Sequence, residues 1–185
     1  NVEQETLSLR GKHNLYNSLA AGIAADLSGV DRETLLQSLS DFEGIEHRLE
    51  FVCRDGRGVS WINDSKATNV DACWYALDSM TTPTVLIVGG LDKGNDYNAI
   101  LPLVREKCCA LVYLGADNGV LHAFFDDKVD VPVADTHSMA ECVAECRRLA
   151  PEGGTVLLSP CCASFDLFRN MEDRGEQFKA LARGE

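Results

Sequence analysis

Four short runs concentrate polar chemistry in this 185-residue chain: NDSKATN (63–69), GGLDKGNDY (89–97), LGADNG (114–119) and SPCCASFD (159–166). The first places Asp64, Ser65, Lys66 and Thr68 directly after the strand-like VSWI. A plain strand-to-helix turn needs only a cap, and Asn69 is positioned to cap the following VDACWYALDSM. Such a cap requires neither Asp64 nor Lys66. In GGLDKGNDY, Gly89 and Gly90 permit close backbone approach and Lys93 can meet an anion as a point charge, although a glycine turn with solvated Asp92 and Lys93 fits the same letters. SPCCASFD ends a strand and opens a helical region. Ser164 there either serves as a plain N-cap or, with the amides that follow, holds a carboxylate at a helix N-terminus.

Several other chemistries lack their residues. The glycines at 89–94 fall as GGxxxG rather than GxGxxG, with no acidic residue at the dinucleotide spacing, so a nicotinamide cofactor is not indicated. No GxxxxGK[ST] occurs, and RGKHN (10–14) lacks its context, so the chain alone should not cradle a nucleoside triphosphate. No Ser-His-Asp spacing stands out. His122 and His137 read as surface or helix-end residues without a paired carboxylate. The eight cysteines contain no CxxC, and no histidine lies at a zinc-ligand spacing from any cysteine pair. No metal site is expected, and the thiols read as reduced, mostly buried and inert.

The elements that must position these runs follow from periodicity. HNLYNSLAAGIAADL reads as a helix stopped at Gly29, after which Asp31 can cap RETLLQSLSDF. HRLEFVCRDGRGVSWIND has two β-rich stretches around RDGRG, which predicts a hairpin. From residue 70 helices alternate with short, continuously apolar strands: TVLIVGG, ALVYLG, VPVAD and TVLLSP. That alternation predicts a Rossmann-like, doubly wound α/β domain, with a mostly parallel sheet covered on both faces and an antiparallel edge strand from the hairpin. Ligands of such sheets bind outside the carboxyl ends of the strands, where the four polar runs fall. A composition shift near Glu43 to His47 sets the expected boundary, giving a helical segment 1–45 and an α/β domain 46–185.

A formal charge of -12 and a sequence pI near 4.7 argue against nucleic-acid or anionic-membrane surfaces. No apolar run is long enough to span a bilayer, and NVEQETLSLRGKHN lacks the regions of a signal peptide, so a cytoplasmic location is expected.

GKHNLYNSLAA (11–21), FEGIEHRLE (42–50), NDSKATN, GGLDKGNDY and LLSPCCASFDLFRNMEDRGEQF (157–178), in this order, closely resemble the Mur ligase family. Within it, DSKATN resembles the members that add D-glutamate to UDP-N-acetylmuramoyl-L-alanine with ATP and Mg, through an acyl phosphate. The family has an N-terminal domain for the UDP-sugar, a central ATPase and a C-terminal Rossmann-like domain. The resemblance implies that 1–45 is the tail of the ATPase and that 46–185 is the amino-acid-binding domain, with the magnesium ligands lying in the part not included. It implies that Asn14 and Asn17 recognise adenine, and that Arg48 and Asp64 contact the nucleotide. By the same resemblance Lys66 lies near the transferred phosphate in an electrostatic role. Thr68 and Lys93 hold D-glutamate, with Ser164 and Phe165 on the other side of its pocket. A monomer that is inactive as a fragment is implied. Met171 stands where the family commonly has Phe, and Cys161 is a second, minor departure. A ligase for another amino acid, or a non-catalytic amino-acid- or nucleotide-binding module, are the alternatives.

Overall fold

The computed structural model describes residues 12–41 and 44–185, with side chains left aside at 12–15, 40 and 41. The chain divides into two compact units, Asn1–Ile45 and Glu46–Glu185.

In the first unit, α1 (Lys12–Leu27) runs beside α2 (Arg32–Asp41). Gly29, at φ 80°, takes the left-handed conformation that ends α1, and Val30 N donates back to Ala25 O at 3.0 Å. Asp31 begins α2 by accepting from Thr34 N (2.9 Å) and Thr34 Oγ1 (2.6 Å). Along α1, Tyr16, Leu19, Ile23 and Leu27 form an exposed apolar stripe at helical spacing.

The second unit begins with the hairpin, β1 (Glu50–Arg54) and β2 (Ser60–Asn63), antiparallel with a bulge between Phe51 and Cys53. There follow α3 (Val70–Asp78), β3 (Thr84–Gly89), α4 (Leu101–Lys107), β4 (Cys108–Leu114), α5 (Gly119–Phe125), β5 (Val133–Thr136), α6 (Met139–Leu149), β6 (Thr155–Cys161) and α7 (Met171–Arg183). The stretch YNAILPLVREK is a 3₁₀ turn at Tyr97–Ala99 and then α4, because Pro102 supplies no N–H and fits only a first helical turn.

The six strands lie in the order β1-β2-β6-β3-β4-β5, all parallel except β1. Right-handed crossovers explain where the helices go. From β2 through β3 and β4 to β5 the chain moves one way across the sheet, so α3, α4 and α5 share a face. The step from β5 back to β6 reverses direction and puts α6 and α7 on the other. Alternate side chains of each buried strand serve the two cores. Val85, Ile87, Val112 and Leu158 meet Cys142, Cys146 and Phe178. Leu86, Val88, Leu111 and Leu157 meet Cys73, Leu77, Val104 and Phe125. Strands covered on both faces explain the unbroken apolar runs of β3 and β6, each buried throughout. All eight cysteines are free, with Cys53 and Cys109 half-buried and the other six buried.

Candidate active site at the carboxyl ends of the strands

Because β6 returns between β2 and β3, the helices after β2 and β3 leave toward one face and the helix after β6 toward the other. The loops after these three strands therefore lie around the switch point of the sheet, and it is in the crevice outside such a point that open α/β sheets bind ligands. Three of the four polar runs flank that crevice.

The 63–69 loop is held from below by buried groups. Asp64 N donates to Leu158 O at 2.8 Å, while its carboxylate accepts from Ser159 Oγ (2.8 Å) and Leu49 N (3.2 Å). Asp64 is 4% exposed, and loss of solvent pushes its carboxyl up to about 6 against the pull of Ser159, Leu49 and Arg48. Asn63, fully buried, donates to His47 Nδ1 and Glu50 Oε2, each at 2.9 Å, and accepts from Ser65 N. Lys66 N donates to His47 O at 3.0 Å. Residues 47–50 are thus laced to this loop, while the Lys66 and Thr68 side chains are exposed above it.

Arg174 on α7 joins two of the loops. Its guanidinium, 1% exposed, donates to Ser65 Oγ (2.9 Å), Ser65 O (2.8 Å) and Cys162 O (3.1 Å), and Ser65 Oγ in turn donates to Met171 O (2.7 Å). All three acceptors are neutral. Burial accordingly lowers its pKa to about 10. On the same helix Lys179 reaches Glu46 (2.6 Å), Glu176 (2.7 Å) and Glu50 (3.2 Å). Burial opposes its charge, but the three carboxylates outweigh that and raise its pKa. Gly175 between them lets α7 approach, since a Cβ there would overlap the His47 ring.

The 89–97 loop joins the same assembly. Gly89 and Gly90 take φ 136° and 121°, and a Cβ would stand 2.5 Å from Leu114 O at the first and 2.4 Å from Ala163 O at the second. The close approach lets Leu91 N donate to Ala163 O at 2.8 Å. Asp92 accepts from Tyr97 Oη (2.5 Å), Gly94 N (2.6 Å) and Asn95 N (3.1 Å). Burial works against its ionised form, yet these donors prevail and lower its pKa. Lys93 rides exposed on this turn.

Sheet topology brings Lys66, Thr68, Lys93, Ser164, Phe165, Arg48 and Asp64 to one end of the sheet. Arg48 and Phe165 are exposed, and Ser164 is buried. Asn17 is exposed on α1 of the other unit, and Asn14 lies on the same helix with its side chain outside the described residues.

Two readings need correction. No helix begins at Ser164: residues 165–167 form a turn closed by Phe168 N on Ser164 O at 2.9 Å, and α7 starts at Met171 under an Asn170 cap. Carboxylate capture at a helix N-terminus is therefore not available there. His122 and His137 also have carboxylate partners: His122 meets Asp126 at 2.8 Å, and the two rings face Asp135 at 3.3 Å and 3.8 Å. For His122, Asp135 lies in the strand after the next loop, a pairing invisible to local spacing. Arg174, Asn63 and Ser159 were missed as site-building residues. A signal for Arg174 existed, because 174, 178 and 182 form one helical stripe whose other members, Phe178 and Ala182, are apolar.

Residues 47–162 match the family model described as Mur ligase, glutamate ligase domain. The chain belongs to the Mur ligase family. It is 64% identical over 184 residues to the UDP-N-acetylmuramoylalanine–D-glutamate ligase of Bacteroides thetaiotaomicron, covering 99% of this chain and 41% of that relative. It is 51% identical over 178 residues to the enzyme of the same name from Porphyromonas gingivalis strain W83, covering 96% of this chain and 39% of the relative. The chain thus spans about two fifths of the length of these relatives. Among solved structures, UDP-N-acetylmuramate-alanine ligase of Thermotoga maritima superposes with a TM-score of 0.70 at 17% identity, over 96% of this chain and 39% of that one. That match extends the Mur ligase fold to the α/β unit and sheet described above. Among the described residues, no helix is long and apolar enough to cross a membrane.

Proposed function

We propose that this chain is the C-terminal part of an ATP-dependent ligase that joins D-glutamate to UDP-N-acetylmuramoyl-L-alanine through an acyl phosphate, in the cytoplasm and as a monomer. The near end-to-end identity with relatives named for that reaction carries the reading. On this reading, 1–45 is the end of an ATP-binding domain, whose exposed stripe Tyr16, Leu19, Ile23 and Leu27 suits packing against the rest of it. Asn14 and Asn17 read the adenine, because an amide both donates and accepts. Arg48 and Asp64 hold the nucleotide.

The chemistry asks for positioning and for neutralisation of charge on the transferred phosphate and the amino acid. Lys66 stands exposed on a loop anchored by Asp64, Asn63 and Ser65, so its backbone is held while its side chain faces solvent. Its role is electrostatic: it balances the developing negative charge as the amine attacks and phosphate leaves. Lys93 and Thr68 hold the D-glutamate carboxylates, with Ser164 and Phe165 across the pocket. Magnesium is assigned no residue here, since Asp64 and Asp92 already accept from protein donors.

The test is ADP release by the full-length enzyme, given ATP, magnesium and UDP-N-acetylmuramoyl-L-alanine, with D-glutamate, L-glutamate, D-aspartate or diaminopimelate offered in turn. Release with D-glutamate alone is expected, and release with another amino acid instead would overturn the substrate assignment. Lys66→Ala is expected to reduce kcat by at least about tenfold, at the low end of losses seen when a transition-state charge partner is removed, with little change in D-glutamate binding. Unchanged turnover would remove Lys66 from the mechanism.

A further inference from the structure

The 89–97 and 159–166 loops are joined by more than the backbone contact of Leu91 with Ala163. Asn95 Nδ2 donates to Cys161 O (3.2 Å), Cys162 Sγ (3.3 Å) and Tyr97 Oη (3.3 Å). A carbonyl can only accept, so the Cys161 contact fixes which end of the Asn95 amide faces the second loop. Tyr97 Oη donates to Asp92 Oδ2 at 2.5 Å and lies 3.3 Å from Cys162 Sγ. Tyr97 is buried, with its ring packed on Phe124 and Phe125, so the core holds that hydroxyl in place.

The backbone that Asn95 meets is irregular. Ile87 pairs with Leu158 and Gly89 with Cys161, so β6 carries one more residue than β3 over that step. Cys161 takes φ 63°, a left-handed conformation that a side chain disfavours. Such a residue persists only where its surroundings hold it. Here they do so from two sides, Asn95 on Cys161 O and Arg174 on Cys162 O at 3.1 Å. Burial pushes the Cys162 thiol up to about 11, which makes it a neutral hydrogen-bond partner and not a nucleophile.

Lys93 stands two positions before Asn95, and Ser164 two positions after Cys162. Asp92, beside Lys93, has its carboxylate taken up by Tyr97 Oη and the amides of Gly94 and Asn95. Among the described residues Lys93 therefore has no ion-pair partner and remains available to an anion. We propose that Asn95, together with Tyr97 and Cys162, is a positioning residue that sets the gap between Lys93 and the Ser164–Phe165 turn, and through it the length of amino acid the site accepts. The inference rests on the reading of Lys93 and Ser164 as opposite sides of the D-glutamate pocket. A dicarboxylic amino acid spans such a pocket from one carboxylate to the other, so a fixed gap favours one chain length over those a methylene shorter or longer.

The test uses the full-length enzyme with ATP, magnesium and UDP-N-acetylmuramoyl-L-alanine saturating. kcat and KM are measured for D-glutamate, for the shorter D-aspartate and for the longer D-2-aminoadipate. Wild type is expected to favour D-glutamate by at least about tenfold in kcat/KM. Asn95→Ala is expected to raise the KM for D-glutamate about tenfold with kcat within about twofold, and to cut the preference over both homologues by about tenfold. Tyr97→Phe, which keeps the ring, should move the same quantities in the same direction by less. A loss of folded enzyme would instead lower kcat for all three amino acids alike and leave their ratios in place. Asn98→Ala, whose amide bonds Asp96 within the turn, should keep the wild-type ratios. Exchange of the Leu91 amide hydrogen, bonded to Ala163 O, needs no substrate and should be faster in Asn95→Ala. Wild-type preference for D-glutamate with unchanged ratios or unchanged Leu91 exchange in Asn95→Ala would overturn the positioning role and leave the ligase reading standing. A wild type without that preference, even with faster Leu91 exchange in the variant, would overturn the ligase reading and the chain-length role with it.

Discussion

Asp64 offers a quantitative test of how the crevice is built. Its carboxyl is 4% exposed, bonded to Ser159 Oγ and Leu49 N, and burial raises its pKa from an unperturbed 3.8 to about 6. For an acid whose folded pKa is raised, the folded state binds the proton more tightly than the unfolded chain does. Its contribution is fully present below about pH 4 and is lost as pH rises through about 6. Two pKa units at 1.36 kcal/mol each amount to about 3 kcal/mol. Asp64→Asn keeps the shape, can still accept from Leu49 N, and does not titrate. Urea unfolding of both proteins at a series of pH values then isolates this one group, because all other titrations cancel in the difference. Relative to wild type, the Asn variant is expected to gain roughly 2–3 kcal/mol between about pH 4 and pH 7, most of it between about pH 4 and pH 6. A difference that stays flat, or that moves in favour of the carboxylate as pH rises, would refute the claim that desolvation dominates at Asp64.

Arg174→Met removes the guanidinium while filling most of its volume, and leaves Ser65 Oγ, Ser65 O and Cys162 O without their donor. Stability measured by urea unfolding should fall by about 3 kcal/mol, a few stranded acceptors offset in part by the relief of burying an unpaired cation. A change below about 1 kcal/mol would mean the guanidinium does not tie the loops. Gly90→Ala places a methyl against Ala163 O at a φ of 121°, so thermal unfolding should shift down by several degrees, in line with roughly 2 kcal/mol of backbone strain. Lys179→Met should destabilise the chain more at neutral pH than at about pH 3, because the unfavourable part is the set of carboxylates around it losing their cation. Equal losses at both pH values would show that the side chain acts through packing alone.

Much of the α/β unit was readable because its signals are local. Continuous apolar runs marked β3, β4 and β6, a hairpin signal marked β1 and β2, and the caps Asp31 and Asn69 make the bonds their positions suggest. The polar runs at strand ends were legible as a site for the same reason, since each follows its strand directly. The helix expected at Ser164 failed because SPCCASFD offers a cap without a periodic stripe behind it. Asn170, which does cap α7, was the better signal one turn later.

By itself the amino-acid order determined the alternation of elements, the two-sided cores and the identity of the loop residues, all of which depend on neighbours within a turn or two. Only the tertiary structure decided that β6 inserts between β2 and β3, which sets the loops at 63–69, 89–97 and 159–166 around one crevice. It also decided that Arg174 would reach Ser65 across 109 positions and that His122 and His137 would share the carboxylate of Asp135. Those contacts follow from strand order and crossover handedness. They are properties of the assembled sheet, and no window of sequence contains them.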